Sequence, residues 1–114
     1  MIDSGLMAST ISALRDMGLL SLETQDRIIP AKALKSKLAI GERLTAGESD
    51  YLFRIAHTIA LAEYFFGDTE KTIRWLSKPK SRLSGRSPVE MFSTTSGLRQ
   101  VEALIVQAME GMSF

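Results

Sequence analysis

Side chains able to do chemistry are few in this sequence and badly spaced for it. His57 is the lone histidine and cysteine is absent, which removes thiolate nucleophiles, disulfides, thiolate zinc sites and multi-histidine metal sites together. General-base work by His57 needs an orienting partner. Its mid-helix place, three residues before Ala60 and four before Leu61, reads as structural or surface instead. Glu48 and Asp50 are two residues apart, so a helix points them to different faces, and Glu48 also serves a helix cap. Ser84-Gly85-Arg86-Ser87 lacks both the nucleophile-elbow pattern and the spacing of a phosphate loop; it reads as a turn. Phe65, Phe66, Trp75 and Phe92 fall at helix junctions, where core packing explains them better than a stacking platform for bases. No catalytic residue, metal site, cofactor or small-molecule substrate is expected. The chain does not read as an enzyme.

Charge is what remains for function. Fourteen Lys and Arg against thirteen Asp and Glu leave a formal charge of +1, so no overall field draws nucleic acid or membrane, and any preference is local. One basic stretch carries Arg27, Lys32, Lys35, Lys37 and Arg43 against Glu42 alone; a second carries Lys71, Arg74, Lys78, Lys80, Arg82 and Arg86 with no acid. Glu48, Asp50, Glu63, Asp68, Glu70, Glu90, Glu102 and Glu110 lie outside both. Such segregation predicts one or two surfaces for anionic partners, against the plain alternative of solvated faces.

These residues must be positioned by helices. The 114 residues, 45% hydrophobic and 24% charged, suit one domain, or two very small modules sharing a core, that buries roughly two-thirds of the unfolded surface. No apolar run approaches the ~20 residues needed to cross a bilayer, and Met1-Ile-Asp-Ser-Gly lacks the basic start of a signal peptide; a cytoplasmic protein is expected. Leu6, Ile11, Leu14 and Met17 form a loose helical stripe that Gly18 ends. Ser21 caps a short helix through Ile28, and Pro30 opens another, Ala31 to Ala39, ending near Gly41. Thr45-Ala-Gly-Glu48 is a capping box for a long helix to Phe66, with Leu52, Ile55, Ile59, Ala62 and Phe66 on one stripe. Gly67 stops it. Asp68 restarts the chain as Thr69 to Ser77, with Ile73 and Leu76 inward and Trp75 as an anchor between the long and last helices. Ser87-Pro88-Val89-Glu90 is a second capping box. Thr94 or Thr95 caps the last helix, where Leu98, Val101, Ile105, Ala108 and Met112 share a face, and Gly111 closes it. The fold class is all-α.

The two short helices around Ile28-Ile29-Pro30 have helix-turn-helix proportions. The second would offer Lys32, Lys35 and Lys37, with Arg43 beyond, to a DNA groove while Leu34 and Leu38 pack beneath. Lysines give phosphate contacts but lack the planar fork that reads guanine.

In the second half, Phe66-Gly67-Asp68, Trp75-Leu76, Pro79, Gly85-Arg86-Ser87-Pro88, Gly97, Val101-Glu102 and Leu104 resemble the toxin-binding domain of the Xre/MbcA/ParS antitoxins. Arg43-Leu44-Thr45, Glu48-Ser49-Asp50 and Arg54 resemble the segment before it, so the likeness covers about residues 43 to 114. It implies helix-turn-helix-like, Xre-like helices over 1–44, joined by the long helix to a small helical toxin-binding domain over 45–114. It also implies a bacterial antitoxin that neutralises a cognate RES-type toxin, which consumes NAD or transfers its ADP-ribose, and that binds its own promoter DNA as a homodimer. The segment Pro30-Ala-Lys-Ala-Leu-Lys-Ser-Lys-Leu38 departs from the Arg-rich recognition helices of the family, and the region before it reads as abbreviated. The implied toxin contacts are Arg82, Arg86, Met109, Met112 and Phe114: cations for an acidic rim, adaptable methionines and an aromatic anchor. The rival reading is a stand-alone dimeric DNA-binding regulator without a toxin partner.

Overall fold

A computed structural model describes residues 8–111. Among them, seven α-helices and one 3-10 turn follow in order: α1 (Ser9–Asp16), α2 (Leu22–Ile28), α3 (Ala31–Ile40), α4 (Ala46–Phe66), α5 (Thr69–Ser77), the turn Ser81–Leu83, α6 (Pro88–Met91) and α7 (Thr95–Gly111). The fold is all-α, as expected.

Local chemistry sets most of these boundaries. Ser21 accepts from the Thr24 amide to start α2. Gly41 and Gly67 end α3 and α4 in left-handed conformation, φ 69° and 70°, which glycine adopts without the Cβ penalty of other residues. Thr45 and Glu48 satisfy each other's backbone amides at the start of α4, and Ser87 and Glu90 do the same for α6. Asp68 receives the amides of Glu70 and Lys71 at the start of α5. Thr94 takes the Gly97 amide at 2.9 Å and so caps α7.

α4 is the spine. α2, α5 and α7 all pack on it, and α6 wedges between α5 and α7. Its buried face holds Tyr51, Leu52, Ile55, Thr58 and Ala62, wider than the expected stripe, while Ile59 and Phe66 are only half-buried. Thr58 is tolerated inside because its hydroxyl donates to the Arg54 carbonyl at 3.0 Å. The Tyr51 hydroxyl donates to the carbonyl of fully buried Phe92, fastening α4 to the end of α6. Partial burial pushes the Tyr51 pKa up against the opposing pull of Arg27 and Arg54. Where α7 starts, a Cβ on Gly97 would collide with the Met91 carbonyl oxygen and lie 2.9 Å from Thr94 Oγ1; only glycine lets α6 and α7 approach so closely.

Three packing expectations are corrected. Leu38 is 40% exposed and Met17 42% exposed; the underside of α3 is anchored by buried Leu34, with Ala33 partly buried beside it. Trp75 is half-buried and joins the rim of the core, whereas Phe92 is the fully buried aromatic. Leu6 and Met112 lie outside the described residues.

Candidate functional site

The second basic stretch is shaped by its own backbone. After α5 the chain makes the 3-10 turn and comes back on itself: the Lys80 amide donates to the Arg86 carbonyl at 3.0 Å, and the Gly85 amide to the Lys80 carbonyl at 2.9 Å. Ser84 and Gly85, both left-handed at φ 57° and 82°, make that reversal. Ser87 then fixes the exit, and its amide and hydroxyl hold the Glu90 carboxyl below its ordinary pKa.

Trp75 sits at the centre. Its ring packs 5.7 Å from Phe66 and carries the Lys80 ammonium 4.6 Å from its centroid, a cation–π contact. Partial burial, with the like charge of Lys78 beside it, holds Lys80 below the usual lysine value. On one flank of Trp75, an open cleft of about 480 Å³ runs from Pro79, Lys80 and Arg82 across to Leu104, Gln107 and Ala108 of α7. Arg82 spans it, donating from Nη1 to Gln107 Oε1 at 2.9 Å, and the floor continues past Leu83 to Gln100 and Ala103. On the other flank, a second depression is lined by Phe66, Lys71, Arg74, Trp75, Lys78 and Lys80. Among the described residues, no carboxylate lines any part of this surface.

Of the sequence-predicted toxin contacts, Arg82 is in the cleft. Arg86 is exposed, with its charge beside Glu90 and its carbonyl in the reversal. Met109 is half-buried against the core. Met112 and Phe114 lie outside the described residues. Sequence reasoning missed Gln107 and the cleft itself; the signal was the run of small and polar residues Gln100, Ala103, Gln107 and Ala108 on the outer side of α7.

The first basic stretch is engaged differently. Lys32 and Lys35 are exposed on α3. Lys37 reaches across to α4, 3.1 Å from Glu48 Oε1 and 3.2 Å from the Arg43 carbonyl. Burial pushes the Glu48 carboxyl up, but the Thr45 amide and the Lys37 ammonium outweigh it and hold the carboxyl below its ordinary value. Arg27 lies over the Tyr51 ring at 4.6 Å. His57 is exposed and shares a shallow pocket between α4 and α7 with Phe53, Arg54 and Arg99. Among the described residues, no group of three or more His, Cys, Asp or Glu side chains could hold a metal ion, and no helix is long and apolar enough to cross a membrane.

Comparison with known proteins places this surface. The sequence model of the antitoxin Xre/MbcA/ParS C-terminal toxin-binding domain matches residues 60–111. An antitoxin Xre of Pseudomonas putida strain KT2440 is 44% identical over 110 residues, covering 96% of this chain and 69% of that protein. The chain belongs to the Xre antitoxin family. A second antitoxin Xre, of Yersinia enterocolitica, is 32% identical over 85 residues, 74% of this chain and 57% of that protein. In this Xre-family antitoxin the whole Trp75 surface, from Phe66 to Ala108, falls inside the toxin-binding domain. A toxin protein is the partner such a domain takes.

Proposed function

We propose that this antitoxin neutralises a RES-type, NAD-consuming or ADP-ribosylating toxin by seating the cleft between Trp75 and α7 on it, and that it also binds its promoter DNA as a homodimer in the cytoplasm. The observation that carries the reading is an acid-free cleft inside the toxin-binding domain, walled by an aromatic ring and bridged by an arginine. Its apolar floor of Leu104 and Ala108 suits an apolar side chain of the toxin, and Lys80 and Arg82 suit flanking carboxylates; aromatic and arginine side chains are the usual anchors of such contacts. Arg86 extends the cationic rim. Met109, Met112 and Phe114 supply further contacts from the end of the chain. Residues 45–114 form the toxin-binding part, and residues 1–44 the DNA-binding part, with Lys32, Lys35, Lys37 and Arg43 on phosphates. Lys37 and Arg43 serve partly by holding α3 against the start of α4.

Co-expression with the RES-type protein encoded beside it tests the reading. The two should co-purify, and removal of Gly111 to Phe114 should leave the helices folded while weakening inhibition of NAD consumption. Failure to co-purify would leave the stand-alone regulator instead.

A further inference from the structure

The flank of Trp75 away from α7 calls for a different partner. Lys71 and Arg74 stand three residues apart on α5, Lys78 follows as its extended C-cap, and the three line one depression. All three are exposed, and among the described residues none has a carboxylate within ion-pair distance. The row is about 10 Å long at 1.5 Å per residue, long enough for its cations to meet separate phosphates of a duplex backbone. By contrast, Lys37 in the N-terminal stretch is held by Glu48 and Arg27 lies over Tyr51. Among the described residues, α5 and its C-cap therefore carry more unengaged cations than the helix-turn-helix-like region.

We propose that the Lys71–Arg74–Lys78 row of α5 is a phosphate-backbone contact for duplex DNA. The surface fits a backbone better than exposed bases, because Phe66 and the Lys80 ammonium occupy the neighbourhood of the Trp75 ring where a base would stack. It does not suit a lipid surface: the exposed large apolar residues, such as Leu22, Ile40, Phe53 and Tyr64, all lie elsewhere. The contact carries no sequence information, so it adds affinity and salt dependence. It neighbours the toxin cleft, sharing Trp75 and Lys80, yet its three defining cations are not cleft residues.

The test uses the full chain and a labelled duplex of arbitrary sequence, with affinity followed against salt. Lys71→Ala, Arg74→Ala and Lys78→Ala together should weaken binding at low salt and flatten the log–log salt dependence by about 2.7, at about 0.9 per lost phosphate contact. The triple variant should keep the wild-type melting temperature and toxin inhibition, whereas Arg82→Glu should lose inhibition with a slope change of about 1 at most. A triple variant that keeps both affinity and slope overturns the proposal. So does one that loses toxin inhibition while binding DNA normally, a result that leaves the toxin reading standing with α5 reassigned to it.

Discussion

Replacing Trp75 by alanine separates a rim residue from a core residue. Truncating a fully buried Trp or Phe costs about 3–5 kcal/mol. Trp75 is half-buried, so about half of that applies. The lost cation–π contact with Lys80 adds about 0.5–1 kcal/mol at a partly exposed site. The sum is about 2–3 kcal/mol, a melting temperature lower by about 10 °C at about 4 °C per kcal/mol, and the chain stays folded. Phe92→Ala, at a fully buried position, should cost the full 3–5 kcal/mol of about that class. Circular dichroism melts of both variants measure the difference, and toxin inhibition is then assayed well below both transitions. Trp75→Ala should lose inhibition while folded; Trp75→Phe should recover most of the stability and part of the inhibition. If Trp75→Ala melts as low as Phe92→Ala, the ring is a core anchor after all. If the folded variant inhibits fully, the cleft does not meet the toxin.

Tyr51→Phe leaves the buried Phe92 carbonyl without its hydroxyl donor and should cost about 1–3 kcal/mol by denaturant unfolding. Gly97→Ala forces a methyl against the Met91 carbonyl; overpacking of this kind costs about 1–3 kcal/mol, read as a lower urea midpoint with α6 loosened from α7. The folded-state pKa of Glu48 lies below its ordinary value, so its stabilisation is complete above the unfolded carboxylate pKa of about 4.3 and fades as pH falls through the lower folded value. Glu48→Gln should accordingly flatten stability against pH on the acid side, and a titration slope unchanged by that substitution would contradict the Lys37–Glu48 link.

What the sequence disclosed and what it hid divide by distance along the chain. Thr45 with Glu48, Ser87 with Glu90, Asp68 and Gly67 act within four residues of themselves, so both ends of α4 and the starts of α5 and α6 could be read directly from residue types. The buried face of α4 was only partly legible. Hydropathy favours Ile59 and Phe66, but Tyr51 and Thr58 go inside because each finds a hydrogen-bond acceptor there. Leu38 looked like a core residue from its spacing with Leu34; its exposure depends on which helix lies beneath α3, which periodicity does not contain. The same holds for the site. The acid-free run from Lys71 to Arg86 was visible, but the cleft brings it against Leu104, Gln107 and Ala108 of α7, with Arg82 meeting Gln107, 25 residues away, and Lys80 lying over Trp75. Lys37 shows the converse: counted among free lysines by composition, it is held by a carboxylate 11 residues on.

The most direct measurement is a titration of the cognate toxin's NAD consumption with wild-type antitoxin and with Arg82→Glu. Arg82 is exposed and, among the described residues, bonded to a surface glutamine, so the substitution should leave the melting temperature nearly unchanged. Neutralisation through the cleft predicts that Arg82→Glu needs at least tenfold more protein for half-inhibition, a loss of about 1.4 kcal/mol. Superimposable inhibition curves for the two proteins would contradict it.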